Sequence, residues 1–442
     1  MDGFIQIIQL FYLHFFHRYE LVSFLLLFVP FVLLFELPLY LASWFGIFRH
    51  LTQETFDQPF SPPFLPDVSC IVTCYSEGDA VKRTIHSLLE QSYPGHIEIM
   101  AMVDGVQKNR QTYHALMACM PRAKLYANRS LVIIPKIQRG GRVSSMNAGL
   151  SRASGKIVMA LDGDTSFDVQ MVHHAARHFH NNHTIAVTGA LRVRNSRQSL
   201  VTRLQHLEYL LTIHAGKLGF ANLRVINNIP GAFGIFRTSF LQSIGGWNTG
   251  SAEDLDLTLR IKQYQQRHPE KQIIFEPGAV AHTDAPDTFR QFFQQRLRWD
   301  GDLGFIYFNR HHKGMAPALM GWRNFLFLLW YGLFFQIIMP FVIVLYILYM
   351  AMTLPVTSIL VIMLLIYFFY LFLTALQYGL YLLLLSERVR EDLAAAWVLP
   401  VFPLFQFATR LWSALALSNQ FLNRAHLDSA MAPYWVLKKG KQ

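Results

Sequence analysis

Apolar residues crowd the two ends of the chain and alternate with polar ones in the middle. The run 21–44 is apolar apart from Glu36 and two serines. At about 1.5 Å per residue it is long enough to cross a hydrocarbon core of about 30 Å as a helix. Ahead of it, 4–16 is shorter and brings Gln6, Gln9, Leu13, His14 and His17 near one helical face, which fits an interfacial helix and a polar-sided span equally. A basic leader and a small-residue cleavage site are both missing, so no removable signal peptide is expected. Toward the other end, 325–350, 356–385 and 393–417 are each long enough to cross. Three crossings would separate the C-terminus from the central domain, whereas Lys438, Lys439 and Lys441 favour keeping both on one side. Either one segment is interfacial or the 356–385 run bends.

After a linker marked by Pro59, Pro62, Pro63 and Pro66, short apolar runs at 68–74, 96–103, 130–134, 156–162 and 185–189 read as strands. Helical patterns lie around 79–91, 142–153 and 168–180. This alternation predicts a mostly parallel sheet flanked by helices. The expected organisation is a membrane segment at 1–48, a linker at 49–66, an α/β domain at 67–286, amphipathic interfacial helices at 287–321, membrane helices at 322–418 and a tail at 419–442. No internal repeat or low-complexity segment is present.

Composition adds two exclusions. Only 15% of the 442 residues are charged and 52% are hydrophobic, too few charges for an ordinary soluble surface. The net charge of +11 would suit nucleic acid or an anionic membrane face. The aromatic-rich apolar runs, and the lack of Lys/Arg-dense stretches, favour the membrane and no nucleic acid. Cys70, Cys74 and Cys119 form no metal-ligand or disulfide pattern, in keeping with a reduced compartment. Arg192, Arg194, Arg197 and Arg203 put the central domain on the cytoplasmic side.

Candidate chemistry gathers at strand ends. Ile157-Val-Met-Ala-Leu161 reads as a buried strand followed by Asp162-Gly163-Asp164, at the carboxyl end where ligands bind in open α/β sheets. Two carboxylates flanking a glycine can approach a divalent cation and the diphosphate it bridges; a turn or helix cap is the plain alternative. Asp104 ends a second strand, and Tyr75 and Glu77 follow the first. In Lys136-Ile-Gln-Arg139-Gly-Gly-Arg142, paired glycines open a helix N-terminus suited to phosphate, although a solvated basic loop has the same composition. Glu253, Asp254 and Asp256 begin another helix, where acidic residues often only complement the dipole. Nothing local selects one of them as a base. Gln295-Arg-Leu-Arg298-Trp299 lies in an amphipathic helix that, residue by residue, reads as a basic interfacial anchor.

Taken in order, Asp104, Asp162-Gly-Asp164, Glu253-Asp254 and Gln295-x-x-Arg298-Trp299 resemble the signature of the processive family 2 glycosyltransferases. These are the membrane synthases of cellulose, chitin, hyaluronan and poly-N-acetylglucosamine. The resemblance covers nearly the whole chain. It implies an α/β GT-A (Rossmann-like) cytoplasmic catalytic domain combined with α-helical transmembrane segments, and an inverting transfer from a UDP-sugar donor with Mg2+ or Mn2+ as cofactor. By resemblance Tyr75, Glu77 and Asp104 bind the uridine portion, Arg142, Asp162 and Asp164 approach the diphosphate, and Asp164 coordinates the metal. Asp254 is then the general base, and Gln295, Arg298 and Trp299 hold the diphosphate and the growing polysaccharide acceptor. The chain departs from the family pattern in reading Arg142-Val-Ser-Ser-Met-Asn147 for Lys-Ala-Gly-Ala-Leu-Asn and Ala252 for Thr, and it lacks the usual Pro before Tyr75. Arg replaces Lys with different phosphate geometry, so donor affinity is the property these departures touch.

The resemblance further implies a multi-pass protein of the plasma (cell inner) membrane, working in the lipid bilayer with a small membrane partner subunit or an activating second messenger. Overall size and the closing segment 433–440 are most similar to poly-N-acetylglucosamine synthases, which makes UDP-N-acetylglucosamine the expected donor. Glu36, Gln336, Gln377, Gln406 and Arg410 lie in apolar runs, where they either line a polar path or bond helix to helix. Trp330, Tyr331 and Tyr367 suit either sugar stacking or an aromatic belt. Two rivals remain at this stage. A non-processive transferase acting on a lipid phosphate is disfavoured by Gln295 to Trp299, and a non-catalytic nucleotide-binding transporter by Asp254 beside Asp162 and Asp164.

Overall fold

The computed structural model describes residues 28–29, 31–56, 64–249 and 251–424. The expectations for 4–16, for the opening of the 21–44 run, for Pro59, Pro62 and Pro63 and for the lysine-bearing tail lie outside the described residues. Eight strands form one sheet in the order β3-β2-β1-β4-β7-β6-β8-β5. They are β1 (Val68–Cys74), β2 (Ile97–Val103), β3 (Arg129–Pro135), β4 (Ile157–Asp162), β5 (Ser166–Phe167), β6 (Thr184–Val193), β7 (Phe233–Arg237) and β8 (Gln272–Thr283). β1 is buried at every position, the mark of a parallel strand covered on both faces.

Instead of being mostly parallel, the sheet is mixed. β3, β2, β1 and β4 run parallel to one another, and β6 runs parallel to β8. β7 enters between β4 and β6 antiparallel to both, and β5 pairs antiparallel with β8. β7 was not anticipated: its five residues follow a long helical excursion, and their short apolar pattern has no neighbouring signal of direction. One large apolar core, including Ile71, Val158 and Phe236, lies on one side of the sheet, and a second, including Cys70, Met159 and Phe233, lies on the other.

The helices used below are α1 (Leu37–Phe56), α2 (Val81–Leu89), α3 (Gly141–Leu150), α4 (Met171–Ala176), α5 (Leu200–Glu208), α6 (Lys217–Asn222), α7 (Glu253–Arg267) and α8 (Phe289–Gly304). Three further helical spans follow: α9 (Trp322–Thr353), α10 (Val356–Leu384) and α11 (Phe402–Asn423). α2, α3 and α4 match the predicted helical stretches in the first half of the domain.

This is a membrane protein: among the described residues Val32–Gln53, α9 and α10 are long and apolar enough to cross a bilayer. The 393–417 run is not one straight helix; Val389–Val398 meets α11 at 74° across a short break. Pro400 and Pro403 stand at that corner, where a ring in place of an N–H ends or restarts a helix. The 356–385 run stays unbroken.

Two joints fix the sheet domain to these helices. α1 crosses α6 at glycines: a Cβ on Gly46 would stand 2.0 Å from the Gly219 carbonyl oxygen. Behind β6, Arg192 donates to both oxygens of the fully buried Asp392 at 3.0 and 2.9 Å, and the Ser386 hydroxyl donates to it at 2.6 Å. Leaving either charge of such a buried pair alone costs about 3–5 kcal/mol.

Candidate active site

The carboxyl ends of β1, β2 and β4 meet at one edge of the domain, and the sequence-predicted donor residues lie there. Past β1, the Tyr75 N–H donates to Glu77 Oε1 at 2.8 Å and the Ser76 N–H donates to Asn109 Oδ1 at 3.0 Å, which folds the chain into a tight turn. Glu77 Oε2 is buried with no hydrogen-bond partner. Burial pushes the Glu77 carboxyl up, and the charge of Asp164 pushes it the same way. The Tyr75 ring is partly exposed, with the Arg139 guanidinium 4.0 Å above its centroid.

Asp104 is differently placed. Its buried carboxylate accepts from Lys136 Nζ at 2.8 Å and from the Gly140 and Gly141 N–H groups at 2.9 and 2.8 Å. It therefore holds the basic loop against the sheet and caps the N-terminus of α3, where a negative charge suits the dipole.

Asp162 ends β4 in an ion pair with Arg142. Arg142 also donates to Glu253 Oε1 at 2.6 Å, to the Gly231 carbonyl at 2.6 Å and to Thr73 Oγ1 at 3.1 Å. Its side chain is only 10% exposed, so it ties the donor edge to α7 as one unit and does not face solvent. Gly163 leaves room for this approach: a Cβ there would lie 2.9 Å from the Thr73 carbonyl oxygen and 3.1 Å from the Glu77 carboxyl carbon. Asp164 is exposed, and its main-chain carbonyl is fixed by Arg194 at 2.9 Å.

Among the described residues no group of three or more His, Cys, Asp or Glu side chains converges as a closed metal cage. The orphaned Glu77 oxygen beside the exposed Asp164 fits a different arrangement. There a hard cation takes one or two carboxylates and completes its shell from phosphate and water, as Mg2+ commonly does.

The three acids opening α7 separate by environment. Glu253 is buried against Arg142. Asp256, fully buried, accepts from Arg310 at 2.7 Å, His311 at 2.9 Å and Arg260 at 3.0 Å. Burial alone would raise its carboxyl, but the His311 bond and the Arg260 and Arg310 charges outweigh it and hold it at about 2. Asp254 is half-buried; Oδ2 accepts from Asn228 Nδ2 at 3.0 Å and the Gly231 N–H at 3.1 Å, and Oδ1 from the Leu255 N–H at 2.8 Å. Of the three, it alone has no cationic side chain bonded to it. The preceding Ala252 is left-handed at φ 48°, a conformation that costs a non-glycine residue about 1–3 kcal/mol unless its surroundings impose it.

α8 starts at Thr288, whose hydroxyl oxygen accepts from the Gln291 N–H. It packs on α11: the Trp412 indole N–H donates to the Phe293 carbonyl at 2.7 Å and the Ser413 hydroxyl to Asp300 Oδ2 at 2.6 Å. Trp299 remains 39% exposed, with Arg296 5.2 Å over its ring. Gln295 Oε1 is buried without a partner. Asp302, near the end of α8, accepts from the Ser251 hydroxyl, and the charges of Arg298, Glu253 and Asp254 all act on it. Asp302 thus ties the predicted acceptor helix to the turn that precedes the predicted base.

Asn228, Lys217, Ser251 and Asp302 belong to this site and were not singled out from sequence. Lys217 carried a weak signal, a cation within an apolar stretch; burial drives its ammonium down to about 8, against the charge of Asp254, which raises it. The polar residues of the spans mostly bond helix to helix. Tyr370 donates to both Glu36 oxygens at 2.8 and 2.9 Å, Arg410 to the Phe335 carbonyl at 2.8 Å, Trp330 to the Phe35 carbonyl at 3.0 Å and Tyr367 to the Pro400 carbonyl at 3.0 Å.

Known proteins match this layout. The model described as "Glycosyl transferase family 2" matches residues 69–244, and that of "Glycosyl transferase family group 2" matches 157–373. The chain carries a glycosyltransferase family 2 domain. Poly-beta-1,6-N-acetyl-D-glucosamine synthase of Staphylococcus epidermidis is 29% identical to this family 2 glycosyltransferase over 52% of the chain and 53% of the relative. The protein of the same name in Staphylococcus aureus (strain MSSA476) is 27% identical over 53% and 54%. The chain spans about half the length of the curated relatives it matches. The mannosyltransferase PcManGT of Pyrobaculum calidifontis, solved with GDP-Man and Mn2+, aligns with a TM-score of 0.53 at 15% identity, covering 88% of this chain and 98% of that one. It shares the GT-A fold, and the mixed sheet of this family 2 enzyme conforms to it.

Proposed function

We propose that the protein is a processive inverting β-glycosyltransferase that polymerises sugars from a UDP-sugar, best matched by UDP-N-acetylglucosamine, into a polysaccharide passed through its own membrane helices. The observation that supports this reading is the Asp302 contact with Ser251, which ties the Gln295-x-x-Arg298-Trp299 helix to the turn leading into Asp254. The similarity to poly-N-acetylglucosamine synthases supports the donor. The membrane helices support the route of export, with the sheet domain on the cytoplasmic side of the inner membrane.

In this reading Asp254 takes the proton of an acceptor hydroxyl as that oxygen attacks the anomeric carbon from the face opposite the diphosphate. The bond from anomeric carbon to phosphate oxygen breaks, UDP leaves, and the configuration inverts. Asn228 and the Gly231 N–H keep the carboxylate pointed. Mg2+ or Mn2+, held by Asp164 with Glu77 and Asp162 nearby, would supply charge neutralisation for the departing diphosphate. Arg298 shares that task from α8, and Tyr75 with Arg139 offers a flat face to the uracil. Arg142 acts indirectly, by fixing Asp162 to Glu253.

Purified protein supplied with labelled UDP-N-acetylglucosamine and Mg2+ or Mn2+ should yield long polymer, and EDTA should stop it. Single addition to a lipid phosphate would replace the processive reading with the rival transferase. No transfer from any common nucleotide sugar would overturn both.

A further inference from the structure

Residues three and four apart stack along one face of a helix, so Gln295, Arg298 and Asp302 share a face of α8. Asp302 is only 8% exposed, and its Oδ1 accepts from the hydroxyl of Ser251, itself 3% exposed. Ser251 is pinned in turn, since its carbonyl accepts from the Thr249 hydroxyl at 2.9 Å. The next residue is Ala252, held left-handed without being a glycine. Beyond it Glu253 is clamped by Arg142, and Asp254 follows. The unfavourable turn is therefore gripped on both sides, upstream by Asp302 through Ser251 and downstream by Arg142 through Glu253. The charged groups acting on Asp302 are Arg298 from its own helix and Glu253 and Asp254 from α7. A buried carboxyl among two other acids is costly to keep and is retained where it fixes geometry.

We propose that Asp302 is a positioning residue for glycosyl transfer: by holding Ser251 it imposes the left-handed turn at Ala252 and so sets the Asp254 carboxylate against the acceptor-binding face of α8. This rests on the reading of Asp254 as general base. Hydrogen-bond acceptance, more than charge, is what the role requires, and the amide oxygen of Asn can provide it.

The test compares steady-state transfer by the full-length protein in detergent for Asp302→Ala, Asp302→Asn, Ser251→Ala and the Asp302→Ala/Ser251→Ala pair, with donor KM, UDP binding and thermal unfolding measured beside each. Asp302→Ala and Ser251→Ala should each lower kcat by about 10- to 100-fold, with donor KM within about twofold of the parent. The pair should be no worse than the poorer single variant, and Asp302→Asn should recover most of kcat. If Asp302→Ala does not fold, Ser251→Ala and Asp302→Asn carry the test. Parental kcat in Ser251→Ala, losses that multiply in the pair, or an Asn variant as slow as Ala would each overturn the positioning role. Asp254→Asn run in parallel separates the two failures. If it keeps turnover, the base assignment falls and this role with it; if it is dead while the Asp302 and Ser251 variants are fully active, only the positioning role falls.

Discussion

The proposed donor edge and the proposed acceptor face are built by opposite means. At the donor edge, Glu77 Oε2 apart, the buried polar groups are largely spent on one another: Asp104 is filled by three donors and Arg142 by Asp162, Glu253, Thr73 and Gly231. On the acceptor face, Gln295 Oε1 is left unpaired and Trp299 is open. α8 is held from behind, by Glu208 on Arg296 and Ser413 on Asp300. A saturated network makes a rigid mould for a ligand of fixed shape. A helix anchored from its rear presents a surface over which successive ligands can pass.

Four measurements sharpen or break this contrast. The largest effect is expected at the junction itself: Asp254→Asn should lower kcat by about 10³-fold or more while UDP still binds, since a general base contributes about 10² to 10⁴. Retained turnover would point to another carboxylate. On the donor edge, Arg142→Met strips the buried Glu253 and the part-buried Asp162 of their cation and should cost about 3–5 kcal/mol in denaturant unfolding. Arg142→Lys should recover little of it, because an ammonium cannot span the same fork of partners. Unchanged stability in both would mean that the edge is not the rigid unit described.

On the acceptor face Trp299→Ala should leave the unfolding midpoint within error, the ring being exposed, and slow elongation about tenfold, equivalent to ~1.4 kcal/mol. A shifted midpoint with normal polymer would reverse the assignment. The smallest effect is on pH dependence. Burial, helped by Glu253 and Asp254, pushes the Asp302 carboxyl up to about 7 from its ordinary 3.8. A group raised in this way contributes stability that is present below its unfolded value and lost as pH rises through the folded one. Unfolding stability should therefore decline between about pH 4 and 7, and Asp302→Asn should flatten that decline. Asp256, held at about 2, contributes the reverse: its stabilisation is complete above 3.8 and is lost as pH falls toward 2. A decline unchanged in the Asn variant would place its origin elsewhere.

Local pattern carried the donor edge well. β1, β2 and β4 fall within a residue of the apolar runs at 68–74, 96–103 and 156–162, because a strand buried on both faces writes itself as a continuous apolar stretch. Asp162-Gly-Asp164 could be placed at a strand end for the same reason. The acids of α7 could not be ranked locally. What distinguishes Glu253 and Asp256 from Asp254 is Arg142, Arg310 and His311, all far away in sequence. Ser251 and Asp302 were silent for the same cause: neither belongs to a spaced motif, and only the contact of α8 with the turn before α7 joins them. The kink before α11 was half-legible, with prolines present and their angle unwritten.

The glycine crossing of α1 and α6 has a mechanical consequence. A spanning helix answers a thinner or thicker bilayer by changing its tilt. Where Gly46 meets Gly219 there is no side chain to cushion that rocking, because the two backbones touch directly. The same short helix begins with the buried Lys217, on which the charge of Asp254 acts. A change in the tilt of α1 is thus passed straight to α6, backbone to backbone.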